Sequence, residues 1–288
     1  MLIIRRTNNQ STDIIHQILA FSLLVFISGL FMHKSHAEEL PLWELGLGLG
    51  AYHQPYYHGS DESRRLLFPV PLPIYRGNVI KSDDDGVRAE KKINEHVKLD
   101  LSLDFNLAVD SDDVSLREGM DDINTLLQIG PSIEINLLKN KRNQWLLKLP
   151  LRANFEFGDG IDTSGYTFAP NITYFHKFSL LDQAWTFGAA LGPQFGTSDY
   201  NNVYYGVDEE FANDFRPAYQ SDGGYAGARG LLTLKNQNKK GLFVLFARYD
   251  DISGAEFEDS PLVETSGGLS VGILYSRFIW KSQTTVNR

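Results

Sequence analysis

The 288-residue chain contains no cysteine. That excludes a disulfide-stapled scaffold, thiolate zinc sites, a cysteine nucleophile and a lipid-modified N-terminal cysteine. Basic charge is scarce as well. The 27 Lys and Arg stand against 36 Asp and Glu, a formal net charge of −9. A nucleic-acid binder needs a basic face, so that class is set aside. Beyond the N-terminus no apolar run is long enough for a transmembrane helix. What the chain does have is glycine (25 residues) and aromatics at 12 %, 13 of them tyrosine. That balance suits a strand-rich protein or a membrane barrel better than a helical bundle.

Residues 1–37 read as a signal peptide. Arg5 and Arg6 supply a positive start, Ile18 to Phe31 is an apolar run, and Ser35-His36-Ala37 gives a small-x-small cleavage pattern. Cleavage takes away Arg5, Arg6 and Lys34 of the 27 basic residues and Asp13 of the 36 acidic ones, leaving a mature chain at net −11. The expected product is an exported protein.

After residue 40 the hydrophobic period is two, and nowhere does a helical period compete with it. From Val97 to Val109 every odd residue is apolar, while Lys98, Asp100, Ser102, Asp104 and Asn106 share the other face. Trp145–Phe157, Tyr166–Phe178 and Trp185–Phe195 repeat the alternation. Strands of soluble sandwiches run about 5–6 residues, whereas a tilted membrane strand needs about 9–11, and these segments meet the longer figure. Their apolar faces begin or end in aromatics, among them Trp43, Trp145, Phe157, Tyr166, Trp185, Phe195 and Trp280, as two interfacial girdles require. A soluble barrel would carry its apolar face inside. Here the second face carries glycines and both signs of charge, which suits a filled lumen. The expected fold is therefore all-β: a single antiparallel transmembrane barrel over residues 38–280, followed by a short periplasmic tail, 281–288.

Connections alternate long and short, with Lys139–Asn143, Ser179–Gln183 and Asn236–Lys240 short and Asp110–Ile123, Thr197–Asp222 and Asp251–Glu264 long. Outer-membrane barrels keep short turns in the periplasm and long loops outside. Both termini then lie inside and the strand number is even. Eight strands from Val97 onward and four before it make twelve, or ten if Asn78–Asp83 and Gly86–Ile93 form one irregular ribbon. Pro69, Pro71 and Pro73 cannot donate ladder hydrogen bonds, so the second strand is expected to be weakly paired or bulged.

Three sets of residues invite a functional reading. The outer loops are acidic (Asp110, Asp112, Asp113, Glu118, Asp121, Asp122; Asp208, Glu209, Glu210, Asp214; Glu256, Glu258, Asp259), yet none has the EF-hand spacing, so solvated charge is the expectation and no metal site is assigned. The inner turns are basic, Lys139, Lys141 and Arg142, then Lys239 and Lys240, and could meet a periplasmic partner. The lumen face offers Glu44, Lys98, Asp100, Asp104, Glu134, Lys148, Arg152, Glu156, Arg229 and Arg248, read either as a selective pore or as a plug of ion pairs. For catalysis the only cluster is His58 with Ser60 and Asp61, beside His53 in the first loop. It has no evident oxyanion donor, so neither enzyme chemistry nor a cofactor is expected.

In that first loop, Pro55-x-Tyr57-x-Gly59-Ser60-Asp61 follows a glycine-rich opening strand, GLGLGAY. Together with Tyr205-Gly206-Val207, Tyr219, Asp259-Ser260-Pro261-Leu262-Val263 and the closing GGLSVGILYSRF, it resembles the MipA/OmpV family of outer-membrane proteins over residues 43–280. Two positions depart from the pattern: His53 stands where tyrosine is expected, and KSQTTVNR follows the closing aromatics. The resemblance implies an outer-membrane barrel in contact with lipid and lipopolysaccharide. It also implies, for the family's scaffold members, a link between a lytic transglycosylase and a murein synthase. It supplies no catalytic residues.

Overall fold

The computed structural model describes residues 39–76, 80–83, 86–89, 91–238 and 240–287. The expected signal peptide, Lys239 and the turn residues Gly77, Asp84 and Asp85 lie outside these. Twelve antiparallel strands make the main sheet. They are β1 (Trp43–Pro55), β2 (Ser63–Arg76), β3 (Ile80–Asp83), β4 (Gly86–Ala89, resuming at Lys91–Lys92), β5 (Val97–Asn106) and β6 (Thr125–Lys139). The second half comprises β7 (Asn143–Phe157), β8 (Ile161–Phe168, resuming at Asn171–Leu180), β9 (Gln183–Gly196), β10 (Gly224–Asn238), β11 (Gly241–Asp251) and β12 (Gly267–Lys281). Each pairs with its neighbour in sequence, β12 pairs with β1, and β5 meets the second piece of β4. The two ends of the pairing order are Gly86–Ala89 and Lys91–Lys92.

The break in β8 has a local cause. Pro170 has no N–H to give, and the strand is interrupted there while Ala169 N still donates to Pro150 O at 3.3 Å. Phe168 pairs with Leu151 before the break and Asn171 with Lys148 after it, so the register does not slip and β8 counts once. The count is twelve rather than ten. β8 begins at Ile161, so only Gly158–Gly160 connects it to β7.

The outward face is apolar. Leu47, Leu49, Leu151, Leu191, Leu232, Leu245, Leu269 and Ile273 are all exposed. Aromatics bound this band, with Trp43, Trp145 and Trp280 at the short-turn rim and Phe157, Tyr166 and Phe195 at the other. His176 belongs to the short-turn girdle, where it stacks between Tyr174 and Phe178 and its Nδ1 lies 2.8 Å from Asn143 Oδ1. At Leu181-Asp182, between β8 and β9, both residues take positive φ (52° and 57°), the mirror-image turn whose twist matches a tight hairpin.

Two expectations about the interior change. The second strand is not bulged and pairs fully with β1, in an unbroken register from Trp43↔Tyr75 to Pro55↔Ser63, so the expected weak pairing falls on its other edge alone. Antiparallel ladders alternate the edge to which each N–H points. Only Phe68, Val70 and Leu72 can therefore donate to β1, and the three missing donors of Pro69, Pro71 and Pro73 fall on the opposite edge. β3 meets that edge at Tyr75↔Ser82 and Arg76↔Lys81. The inner face is also less polar than the alternation implies. Tyr52, Phe68, Val70, Leu72, Leu242 and Leu274 are buried together, with Phe246 and Phe278 packed on them. Glycines make room for the rings: a side chain at Gly50 would collide with Phe68, and one at Gly272 with Phe246.

Beyond the strand ends, Glu39–Pro41 pairs with Thr285–Asn287 in a separate two-stranded ribbon. The tail thus returns to the start of the barrel.

Candidate functional site

The long loops fold over the outer mouth as a cap with a core of its own. Tyr57, Val109, Val114, Ile123, Tyr204, Tyr205, Val207, Ile252, Phe257 and Leu262 are buried in one cluster. Inside the longest loop sits a helix, α1 (Ser198–Tyr205), which the period-two reading did not anticipate. Its only helical signal is Tyr200, Val203 and Tyr204 at i, i+3 and i+4, over two turns.

The motif residues hold this cap together. Tyr57 donates its hydroxyl to Leu262 O at 2.7 Å, Tyr205 to His58 O at 2.8 Å, and Ser260 to Tyr205 O at 2.7 Å. Burial raises the Tyr57 pKa, so its hydroxyl stays a donor. Gly59 takes positive φ (99°), and its carbonyl accepts from Glu264 N and Thr265 N. The ring of Tyr205 stacks on Phe257 with centroids 3.6 Å apart. Val207 and Tyr219 exchange backbone hydrogen bonds. Asp61 N donates to Glu264, and Ser60 Oγ accepts from Glu62 N. Pro55 closes β1 just below.

Two arginines staple the loops. The buried Arg117 donates to Ser111 Oγ, Tyr204 O and Asp121 O. Arg216 donates to Leu116 O and Glu118 O in the neighbouring loop and to Phe211 O in its own. The acidic loop residues serve as local caps: Asp110 accepts from Asp112 N, Asp122 from Ser111 N and Glu258 from Gly254 N. Among the described residues no three His, Asp or Glu gather as a metal site.

His58, Ser60 and Asp61 are not assembled for catalysis. His58 turns away from Ser60 into the lumen, where Nδ1 lies 3.6 Å from Asp250 Oδ2 and Nε2 lies 3.3 Å from an Arg229 nitrogen. Beneath the cap lies a small cavity of about 80 Å³. Ion pairs cross the lumen at this level. Arg229 Nε bonds Asp250 at 2.5 Å, Arg248 Nε approaches Asp250 at 2.7 Å, and Arg229 reaches Asp104 on β5 at 3.6 Å. Arg152 meets the same Asp104 at 3.5 Å. β10 and β5 lie five strands apart along the sheet, so the Arg229–Asp104 contact crosses between distant strands and bars the lumen. Glu156 accepts from Asn124 and Ser164. A second layer nearer the short turns joins Lys148 to Glu134 at 2.8 Å and Lys98 to Glu134 at 3.9 Å. Of the four expected lumen charges, Arg152 and Arg248 line the cavity, Lys148 pairs with Glu134 and Glu156 bonds Asn124 and Ser164.

The inner rim carries the other candidate surface. Lys139, Lys141, Arg142 and Lys240 are exposed. Asn140 Oδ1 caps the first turn, accepting from Arg142 N and Asn143 N, and Asn238 Oδ1 caps the second through Lys240 N.

An apolar outward band, two aromatic girdles and a filled lumen define an outer-membrane β-barrel protein. Residues 47–278 match the family described as MltA-interacting protein MipA, and the chain belongs to that family. No curated protein matches. Among solved structures, the chain is similar to a NanC porin (8 % identity, TM-score 0.38, covering 81 % of this chain and 100 % of that one). It is also similar to a bacterial polysaccharide outer membrane secretin (7 %, 0.39, 82 % and 99 %) and to OprG of Pseudomonas aeruginosa (10 %, 0.21, 83 % and 94 %).

Proposed function

We propose that this barrel is a non-enzymatic scaffold, seating a lytic transglycosylase and a murein synthase on its periplasmic rim. The family's description as an MltA-interacting protein supports a murein-lytic partner. The observation that carries the reading is the exposed, Asn140-capped basic turn of Lys139, Lys141 and Arg142, with Lys240 exposed on a turn of the same rim. A rigid turn holding several cations suits an acidic protein surface, where rim charge sets association rate and salt sensitivity. The capped, barred lumen leaves this rim as the polar surface open to the periplasm.

Reversing Lys139, Lys141 and Arg142 to glutamate together tests the site. In-cell cross-linking followed by purification should recover about tenfold less partner, as the loss of two or three favourable rim contacts implies. The folded barrel's heat-modifiable gel mobility should stay unchanged. Unaltered capture by a folded variant overturns the assignment.

A further inference from the structure

Near the short turns, the lipid-facing surface of β8, β9 and β10 holds a groove of about 560 Å³, lined by Tyr174, His176, Phe178, Phe187 and Leu234. The register builds it. His176 on β8 pairs with Phe187 on β9, and Phe187 with Leu234 on β10, so the three stand in one row across the sheet. Tyr174, His176 and Phe178 occupy alternate positions and share a face; their rings stack along β8 with centroids 6.4 and 6.0 Å apart. The polar atoms of that wall are turned to one side chain. Asn143 Oδ1 accepts from the Tyr174 hydroxyl at 2.8 Å and lies 2.8 Å from His176 Nδ1. The groove is left with ring and methyl surface, which calls for an apolar occupant. Two further observations say which. Leu180 and Leu181, 50 % and 86 % exposed, carry the apolar surface past the rings into the turn itself. Lys177 N donates to Arg142 O at 2.8 Å, which brings the exposed Lys141 and Arg142 to the end of the same ladder of rings. The two neighbouring turns, 139–143 and 179–183, together hold Lys139, Lys141 and Arg142 against one acid, Asp182.

We infer that this groove binds one anionic phospholipid of the periplasmic leaflet. An acyl chain lies along Phe178, Phe187 and Leu234, and the phosphate reaches the turn of Lys141 and Arg142, where a guanidinium fork suits it. A free phosphate ion gains nothing from the rings, and a lipid without net charge gains little from the cations. A phospholipid of net negative charge uses both. The inference rests on the barrel and not on the scaffold reading, although Lys141 and Arg142 figure in each.

Native mass spectrometry of the detergent-purified barrel tests it with three probes: palmitoyl-oleoyl phosphatidylglycerol, the matching phosphatidylcholine, and glycerol 3-phosphate. One phosphatidylglycerol per barrel should bind saturably. Phosphatidylcholine should bind about tenfold more weakly, a discrimination that two cations near a membrane surface supply, and glycerol 3-phosphate should not bind. Leu234→Trp fills the groove and should weaken phosphatidylglycerol about tenfold. Leu47→Trp, on the same outward band but three strands away on β1, should leave it unchanged. Leu234→Trp keeps the basic turn intact, so partner capture should persist in this variant, and lipid loss with capture retained separates the groove from the scaffold reading. Heat-modifiable mobility verifies that each variant is folded. The inference fails if phosphatidylcholine binds as well as phosphatidylglycerol, if glycerol 3-phosphate matches either lipid, or if Leu234→Trp and Leu47→Trp behave alike.

Discussion

His58 is where loop and lumen meet, and its environment makes the cap sensitive to pH. Desolvation in the cavity wall pulls its pKa down to about 4, more than Asp250 beside it can restore, while Arg248 and Arg229 push the same way as burial. In the unfolded chain the imidazole takes a proton near pH 6.5. The neutral ring's contribution is therefore fully present above pH 6.5 and is lost as the pH falls toward 4, where the unfolded state binds a proton that the folded state refuses. Lowering the pH from about 7 to about 4.5 should cost on the order of 1–2 kcal/mol of cap stability, allowing for water that reaches the ring. Thermal unfolding of the wild type against His58→Gln across that range measures it. Parallel pH profiles for the two would show that His58 is not the titrating group. At this scale the sequence is readable in part. The prolines of β2 announce their missing donors, but their shared parity matters only once the intact β1 ladder shows which edge they face.

The strands and the cap differ in how far they can be read from sequence. Lipid outside and a filled lumen inside impose period two on every long strand, so the alternation from Val97 or Trp145 is visible without a structure. The sorting of long and short connections follows from it. The cap obeys no period. Its bonds join residues far apart in the chain, as Tyr57 to Leu262 and Tyr205 to His58 do, and α1 is too short to show more than one turn of helical spacing. The apolar inner patch of Phe68, Val70 and Leu72 was hidden for another reason: β2 is apolar on both faces, so alternation says nothing of it. Arg117 is the element-scale test. Replacing it with methionine strands the carbonyls of Tyr204 and Asp121, and losses of about 2–3 kcal/mol are usual for such charge-assisted contacts. Limited proteolysis within residues 197–223 should accelerate tenfold or more, while the strands keep their heat-modifiable mobility. An unchanged cleavage rate would remove Arg117 from the cap's support.

For the whole molecule the question is whether a twelve-stranded barrel conducts. Such a barrel is wide enough to leave a passage if its lumen is lined rather than filled. Here two obstacles stand in series. The cap closes the outer mouth with its own hydrophobic core, and below it Arg229 ties Asp250 to Asp104 between distant strands. Nearer the periplasm, the Phe68 patch and the Lys148–Glu134 pair join adjacent strands along the wall and do not cross the lumen. A pore selects ions through groups that line a continuous path; the cap and Arg229 bridge the path instead. The wild type in a planar bilayer should therefore show no steady current. Arg117→Met alone loosens the cap but leaves the bar, and Arg229→Ala alone removes the bar beneath an intact cap, so each single variant should stay near silence. The double variant should open intermittently, because the two obstacles act independently along one path. Steady current from the wild type would reverse the argument, making the ion pairs pore-lining charges and placing a narrow channel ahead of the scaffold.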